Sequence, residues 1–148
     1  MLQSGTVTFA VRILIGAMFI YAGAAKIGHF NEFAAQIAGF RILPAGAVGP
    51  LAVLLPFFEV GLGLYLLAGL LTAAAAIVAA VQLVLYAAAI ASAVMRHIPA
   101  VCGCFGPQDR ATADWPHVAI DLALAAVCLL LARRAPGIYA LDNRLGNT

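Results

Sequence analysis

The sequence predicts an all-α fold, a bundle of four transmembrane helices, and three observations carry that expectation. Of the 148 residues, 65% are hydrophobic and 9% charged, where a soluble domain has roughly 45–50% and about 25%. The mean hydropathy is +1.06, and a water-soluble chain this short has too much surface for its volume to hide so many apolar side chains. The few charges leave four apolar stretches, each close to the ~20 residues that cross a hydrocarbon core about 30 Å thick. The net charge of +2 is small and the basic residues are scattered, so no nucleic-acid surface is expected.

The first stretch, about residues 7–27, carries only Arg12 and Lys26 as charges. The second, about 47–67, carries only Glu59, and Pro56 within it is of a kind that membrane helices tolerate. The third, about 70–95, has Gln82 as its strongly polar residue, and the fourth, about 115–133, has His117 and Asp121 near its start. All are expected to be helical, because lipid offers no partner to a free backbone N–H or C=O. The second and third stretches together are about twice too long for one crossing. Gly69 therefore marks a tight helical hairpin, and the chain reads as one integral membrane domain over 1–148. Gly61-x-Gly63 lies inside an apolar span and reads as helix packing rather than as a nucleotide loop.

Two longer loops, 28–46 and 96–114, then share one side of the membrane, with both termini and the hairpin on the other. The first loop is expected to include a short interfacial helix ending near Gly39. Ala22-Gly23-Ala24-Ala25 has the look of a signal-peptidase site. The missing basic n-region and the long apolar run argue instead for a retained span. Basic residues divide four to four: Arg12, Arg133, Arg134 and Arg144 on the side of the termini, and Lys26, Arg41, Arg96 and Arg110 on the loop side. The Arg133-Arg134 pair abutting a span favours cytoplasmic termini.

The second loop contains Cys102-Gly103-Cys104, followed by Phe105-Gly106-Pro107. Cysteines this close, among residues that permit unusual backbone angles, can reach each other. The ring they close is very small, so the bridge is expected to be strained, and strained bridges are the exchangeable kind. Three readings stand: a redox dithiol that exchanges with a partner, a soft-metal site for copper or mercury with His97 as a further ligand, and a static bridge pinning the loop. Cys128, alone in the last span, reads as a packing residue.

Ionisable residues inside a bilayer are costly and point to function. Lys26, His117 and Asp121 all fall at the membrane level nearest the cysteine pair. The expectation is that Lys26 pairs with Asp121, and that His117 or Asp121, one helical turn apart, manages protons for the thiols. Arg12 and Glu59, counted toward the other side, are expected to pair structurally.

Arg12-x-x-x-Gly16 with Phe19-Ile20-Tyr21-Ala22-Gly23-Ala24-Ala25-Lys26 resembles the first-span signature of DoxX-like membrane proteins, and Phe57-Phe58-Glu59-Val60-Gly61-Leu62-Gly63 resembles their second. Cys102-Gly103-Cys104-Phe105-Gly106, ahead of a tryptophan-led last span, is similar to the methylamine-utilisation protein MauE branch. The resemblance implies a four-helix bundle in a bacterial inner (plasma) membrane. It also implies a redox-associated role with a thioredoxin-like partner, in maturation of a disulfide-containing periplasmic protein. Cys102, Cys104, His117, Asp121 and Lys26 are the candidate catalytic residues. With no second cysteine pair, electrons leaving the dithiol need a quinone, another subunit or the partner itself. A non-catalytic membrane anchor for a redox enzyme is the alternative outside thiol chemistry.

Overall fold

The computed structural model describes residues 2–146 and is all-helical, with no strand among them. Four helices are long and apolar enough to cross a membrane: α1 (Leu2–Lys26), α3 (Ala45–Ala68), α4 (Thr72–Met95) and α5 (Trp115–Arg134). A short helix, α2 (Phe30–Gly39), lies between α1 and α3, and α6 (Asp142–Leu145) is a single turn near the C-terminal end.

Glycine decides how α1 meets α3. A Cβ on Gly16 would stand 2.9 Å from the carbonyl oxygen of Gly63, and one on Gly63 would stand 2.6 Å from that of Gly16. One on Gly23 would stand 2.5 Å from the Pro56 carbonyl oxygen. The two helices therefore run antiparallel with their backbones in contact, the small-residue packing that holds membrane helices where lipid removes the hydrophobic drive. Because Gly23 meets Pro56 and Val60, the first turns of α3 extend past the end of α1, and α2 packs against them.

Gly69 ends α3 in the left-handed region (φ +67), with Gly69 N–H donating to the Leu66 carbonyl and Leu70 N–H to that of Tyr65. This Schellman arrangement satisfies the last carbonyls of α3 and reverses the chain directly into α4. The hydrogen bonds at the start of α4 are completed from far away. The Asp142 carboxylate accepts from Leu71 N–H (2.7 Å), Thr72 N–H (2.8 Å) and the Thr72 hydroxyl (2.8 Å). Leu141 and Asp142 N–H donate in turn to the carbonyls of Ala68 and Gly69, so the C-terminal segment is strapped across the hairpin.

The core draws on all four spans: Ile15 and Phe19, Leu62 and Leu66, an alanine stripe at 75, 76, 79 and 80 of α4, and Ala125, Cys128 and Leu131 of α5. Cys128 is wholly buried there, as a packing residue should be. Large apolar side chains such as Leu14, Leu54 and Leu130 point outward, as a lipid-facing surface requires.

Candidate functional site

Both longer loops and α2 gather at one end of the bundle. The second loop is organised by a short antiparallel bridge between Val101 and Thr112, with Cys102 N–H donating to the Ala111 carbonyl (2.8 Å) and Ala113 N–H to that of Ala100 (2.9 Å). Between those strand-like arms the chain turns through Gly103 (φ +61) and Gly106 (φ +96), with Gly106 N–H on the Gly103 carbonyl. Glycine is needed at both points for conformation and for space. A Cβ on Gly103 would stand 2.3 Å from Gln36 Oε1 of α2, and one on Gly106 would stand 2.9 Å from the Ala25 carbonyl oxygen of α1.

Cys102 and Cys104 are joined as a disulfide, their Cα atoms 5.4 Å apart. The two cysteines differ in burial. Cys102 is buried in a small cluster with Ala87 and Ile90 of α4 and Val118 of α5, whereas Cys104 packs against the same cluster and is only partly buried.

Beneath the loop lies a cavity of about 330 Å³, within the size range of small-molecule sites. Its walls are apolar for the most part: Phe33 of α2, Leu51 and Leu55 of α3, Leu85 of α4. The disulfide, Lys26, Gln36, Gln82 and Tyr86 also line it.

Lys26 belongs to a buried polar network. Its Nζ donates to Glu59 Oε2 at 2.7 Å, with both side chains 1% exposed. Glu59 Oε1 accepts from Gln82 Nε2 (3.0 Å) and from the Tyr86 hydroxyl, and Gln82 Nε2 also reaches the Tyr86 oxygen (2.9 Å). Lys26 Nζ sits 5.2 Å from the ring centroid of Phe33 and 5.9 Å from that of Tyr86. Pairing and hydrogen bonding of this kind make a buried charge tolerable.

Two expected pairs are thereby corrected. Lys26 bonds Glu59 and not Asp121, and Arg12 does not meet Glu59. Depth counted inward from each helix end misplaces Glu59, because α3 starts beyond the end of α1 and brings Glu59 level with Lys26. Arg12 lies at the opposite end, fully buried, where it donates to the carbonyls of Pro136 (3.0 Å) and Tyr139 (3.3 Å).

His117 and Asp121 do not line the cavity. They lie on α5 on either side of Val118, which packs on Cys102. Asp114 caps α5, accepting from His117 N–H at 3.1 Å and meeting its ring Nδ1 at 2.5 Å. The ring's hydrogen bond, then the backbone's, hold the Asp114 carboxyl below its usual value. Asp121 is buried, with its Oδ2 unpartnered.

Of the expected residues, Cys102, Cys104 and Lys26 thus come together around one cavity. Glu59, Gln36 and Tyr86 are additions to the site. The i, i+4 spacing of Gln82 and Tyr86 on an otherwise apolar helix was the signal available for part of that network. Among the described residues, no group of three His, Cys, Asp or Glu side chains converges to hold a metal ion.

Fold and site together define a multi-pass membrane protein that carries a cysteine pair over a cavity at one end of its helix bundle. The family model described as methylamine utilisation protein MauE matches residues 4–134, and the chain belongs to that family. It is similar to the methylamine utilization protein MauE of Paracoccus denitrificans, 34% identical over 143 residues, 96% of this chain and 77% of the relative. The MauE protein of Methylophilus methylotrophus is 34% identical over 136 residues, 89% of this chain and 70% of the relative. That of Methylorubrum extorquens is 31% identical over 137 residues, 92% and 74% respectively. No solved structure matches the chain.

Proposed function

We propose that this protein is a membrane thiol–disulfide exchange protein of a methylamine-utilisation system. Its Cys102–Cys104 pair would work at the extracytoplasmic face of the bacterial inner membrane, with both termini in the cytoplasm. The observation that carries the reading is the disulfide between two unequally exposed cysteines on a glycine-hinged loop. The family supports the setting, since the relatives are named for methylamine utilisation. Disulfides persist in the periplasm, which suits the orientation chosen.

The exchange partner is a thioredoxin-fold protein that serves a disulfide-containing periplasmic client. Its thiolate attacks Cys104 Sγ, on the less buried of the two cysteines. The Cys102–Cys104 bond breaks, Cys102 leaves as a thiolate, and the partner is held through Cys104. The partner's second thiolate then attacks its own sulfur in the mixed disulfide and expels Cys104. The partner dithiol has lost two electrons and two protons, and Cys102 and Cys104 have gained them. Lys26, on the cavity wall below the loop, favours the Cys102 thiolate by its charge. His117 and Asp121, flanking the residue that packs on Cys102, serve as proton carriers for the thiols.

The test is a trap. In the Cys102→Ser variant the remaining Cys104 thiolate attacks the oxidised partner's disulfide, the reverse of the last step. No Cys102 thiolate is left to release the adduct by re-forming the bridge, so native membranes should accumulate a covalent, reductant-sensitive complex with a thioredoxin-fold protein. Cys104→Ser should accumulate far less. Full function with both cysteines replaced would leave a non-catalytic anchor as the role of the protein.

A further inference from the structure

We infer that the cavity under the cysteine loop binds a lipid-soluble quinone, which takes the electrons from the reduced Cys102–Cys104 pair. The inference rests on the exchange chemistry proposed above and supplies its electron acceptor.

Three features of the cavity select this ligand. The first is electron bookkeeping. A dithiol that has been reduced must be reoxidised, and among the described residues the remaining cysteine is Cys128, buried in the core between the spans. A lone thiol has no disulfide bond to open and so cannot accept two electrons. The acceptor must therefore be another molecule able to reach the pair, and both cysteines line the cavity.

The second is the wall. It is largely apolar, with Phe33, Leu51, Leu55 and Leu85, and it lies within a lipid-embedded bundle. A molecule arriving there is one that dissolves in lipid.

The third is a pair of unmet polar atoms. Gln82 is buried, and its Oε1 has no hydrogen-bond partner; neither does the buried Oε1 of Gln36, which lies against Gly103 between the two cysteines. A buried acceptor left unpaired costs about 1–3 kcal/mol. A lipid acyl chain has no donor for either atom, so hydrocarbon filling would leave that cost in place. The reduced ring of a quinone has two hydroxyl donors. Its oxidised form has two carbonyl acceptors, and Lys26 spends one of its three N–H bonds on Glu59, which leaves donors for a carbonyl. A cavity lined by both kinds of group suits a ligand that changes from acceptor to donor as it is reduced.

The step balances. The dithiol gives up two electrons and two protons and closes the Cys102–Cys104 bond; the quinone gains both and leaves as the quinol. Electrons thus run from the client and its thioredoxin-fold partner, through Cys104 and Cys102, into the quinone.

The experiment uses the full-length protein, reduced and reconstituted into liposomes, with decylubiquinone as the added quinone. The expected result is one quinol formed per disulfide closed. A photoreactive azidoquinone should label peptides of α2 and α4 that line the cavity in the Cys102→Ser/Cys104→Ser double variant, where no redox step is available. Excess decylubiquinone should compete with that label. Gln82→Leu should weaken binding about tenfold, the equivalent of one buried hydrogen bond. Ala89→Phe, which fills the cavity from α4, should abolish both labelling and quinol formation. A reduced pair that stays reduced in excess quinone, or a label spread over the outer helix faces without competition, overturns the inference. The Cys102→Ser partner trap is read separately, so failure of quinone reduction with a trapped partner removes the quinone alone. Quinone reduction without any trapped partner removes the partner alone.

Discussion

Lys26 and Glu59 form an ion pair 2.7 Å long between α1 and α3, sealed from the surroundings at both side chains. Gln82 and Tyr86 of α4 complete the hydrogen bonds of the carboxylate. Three spans therefore converge on one carboxyl group, at the level where the cavity begins. A pair so deeply buried gains little from attraction alone, but either member left without the other is strongly destabilising, by about 3–5 kcal/mol in soluble proteins.

Glu59→Leu should accordingly destabilise the bundle by an amount of that order, and so should Lys26→Met. The double variant should recover most of the loss, because it leaves no buried charge behind. Equilibrium unfolding in mixed micelles, run as a double-mutant cycle, measures the coupling. Additive losses would show that the two side chains do not depend on each other.

A second prediction concerns two glycines two residues apart in α3. A Cβ on Gly63 would meet the Gly16 carbonyl oxygen at 2.6 Å and Ile20 N at 2.9 Å, both backbone atoms that cannot swing away. At Gly61 a Cβ meets nothing within 4 Å. Gly63→Ala should force α1 from α3 and cost about 1–3 kcal/mol, the usual range for overpacking. Gly61→Ala should be neutral or slightly stabilising, since alanine is the better helix former. Equal effects of the two substitutions on unfolding would refute the backbone contact.

These residues also show what the sequence could and could not reveal. The four spans were legible because lipid demands long uncharged stretches, and the hairpin at Gly69 because the apolar run is too long for one crossing. The cysteine pair was legible because Cys-Gly-Cys is local. Partners across helices were not, because they depend on the offset between α1 and α3, which is set where Gly23 meets Pro56 and Val60. An error of a few turns in that offset sent Glu59 to Arg12 and Lys26 to Asp121. Tyr86 escaped notice since a tyrosine in an apolar span resembles any other aromatic residue until Glu59 is placed beside it. The cap on α4 was illegible for a simpler reason: Asp142 lies 70 residues from Thr72.

That cap makes the third prediction. Burial tends to raise the Asp142 carboxyl, but the hydrogen bonds from Thr72 and Leu71, with the charge of Arg12, outweigh it and hold the group below its ordinary value. A carboxyl depressed in the folded state adds stability that is complete above the unfolded value, about 3.9, and is lost as pH falls through the folded one. Asp142→Ala should cost about 1 kcal/mol at neutral pH, typical of a lost helix cap. The gap between wild type and variant should close on acidification. Unfolding measured across that range, with a gap that stays constant, would show that the carboxylate is not what holds the segment.

The last prediction orders the three thiols. Cys104 is partly buried, Cys102 is buried in the cluster with Ala87, Ile90 and Val118, and Cys128 is wholly enclosed among the spans. Alkylation requires access to a thiolate, and burial in apolar surroundings withholds both. After reduction, a maleimide should therefore modify Cys104 first, Cys102 more slowly, and Cys128 only after unfolding. With an impermeant reagent, the same labelling reports orientation. If Arg133 and Arg134 hold the termini in the cytoplasm, Cys104 reacts from the periplasmic side of intact spheroplasts and is protected in inside-out vesicles. Reaction from the cytoplasmic side alone would invert the topology. The cysteine pair would then face a compartment that keeps thiols reduced, and a periplasmic partner could not reach it.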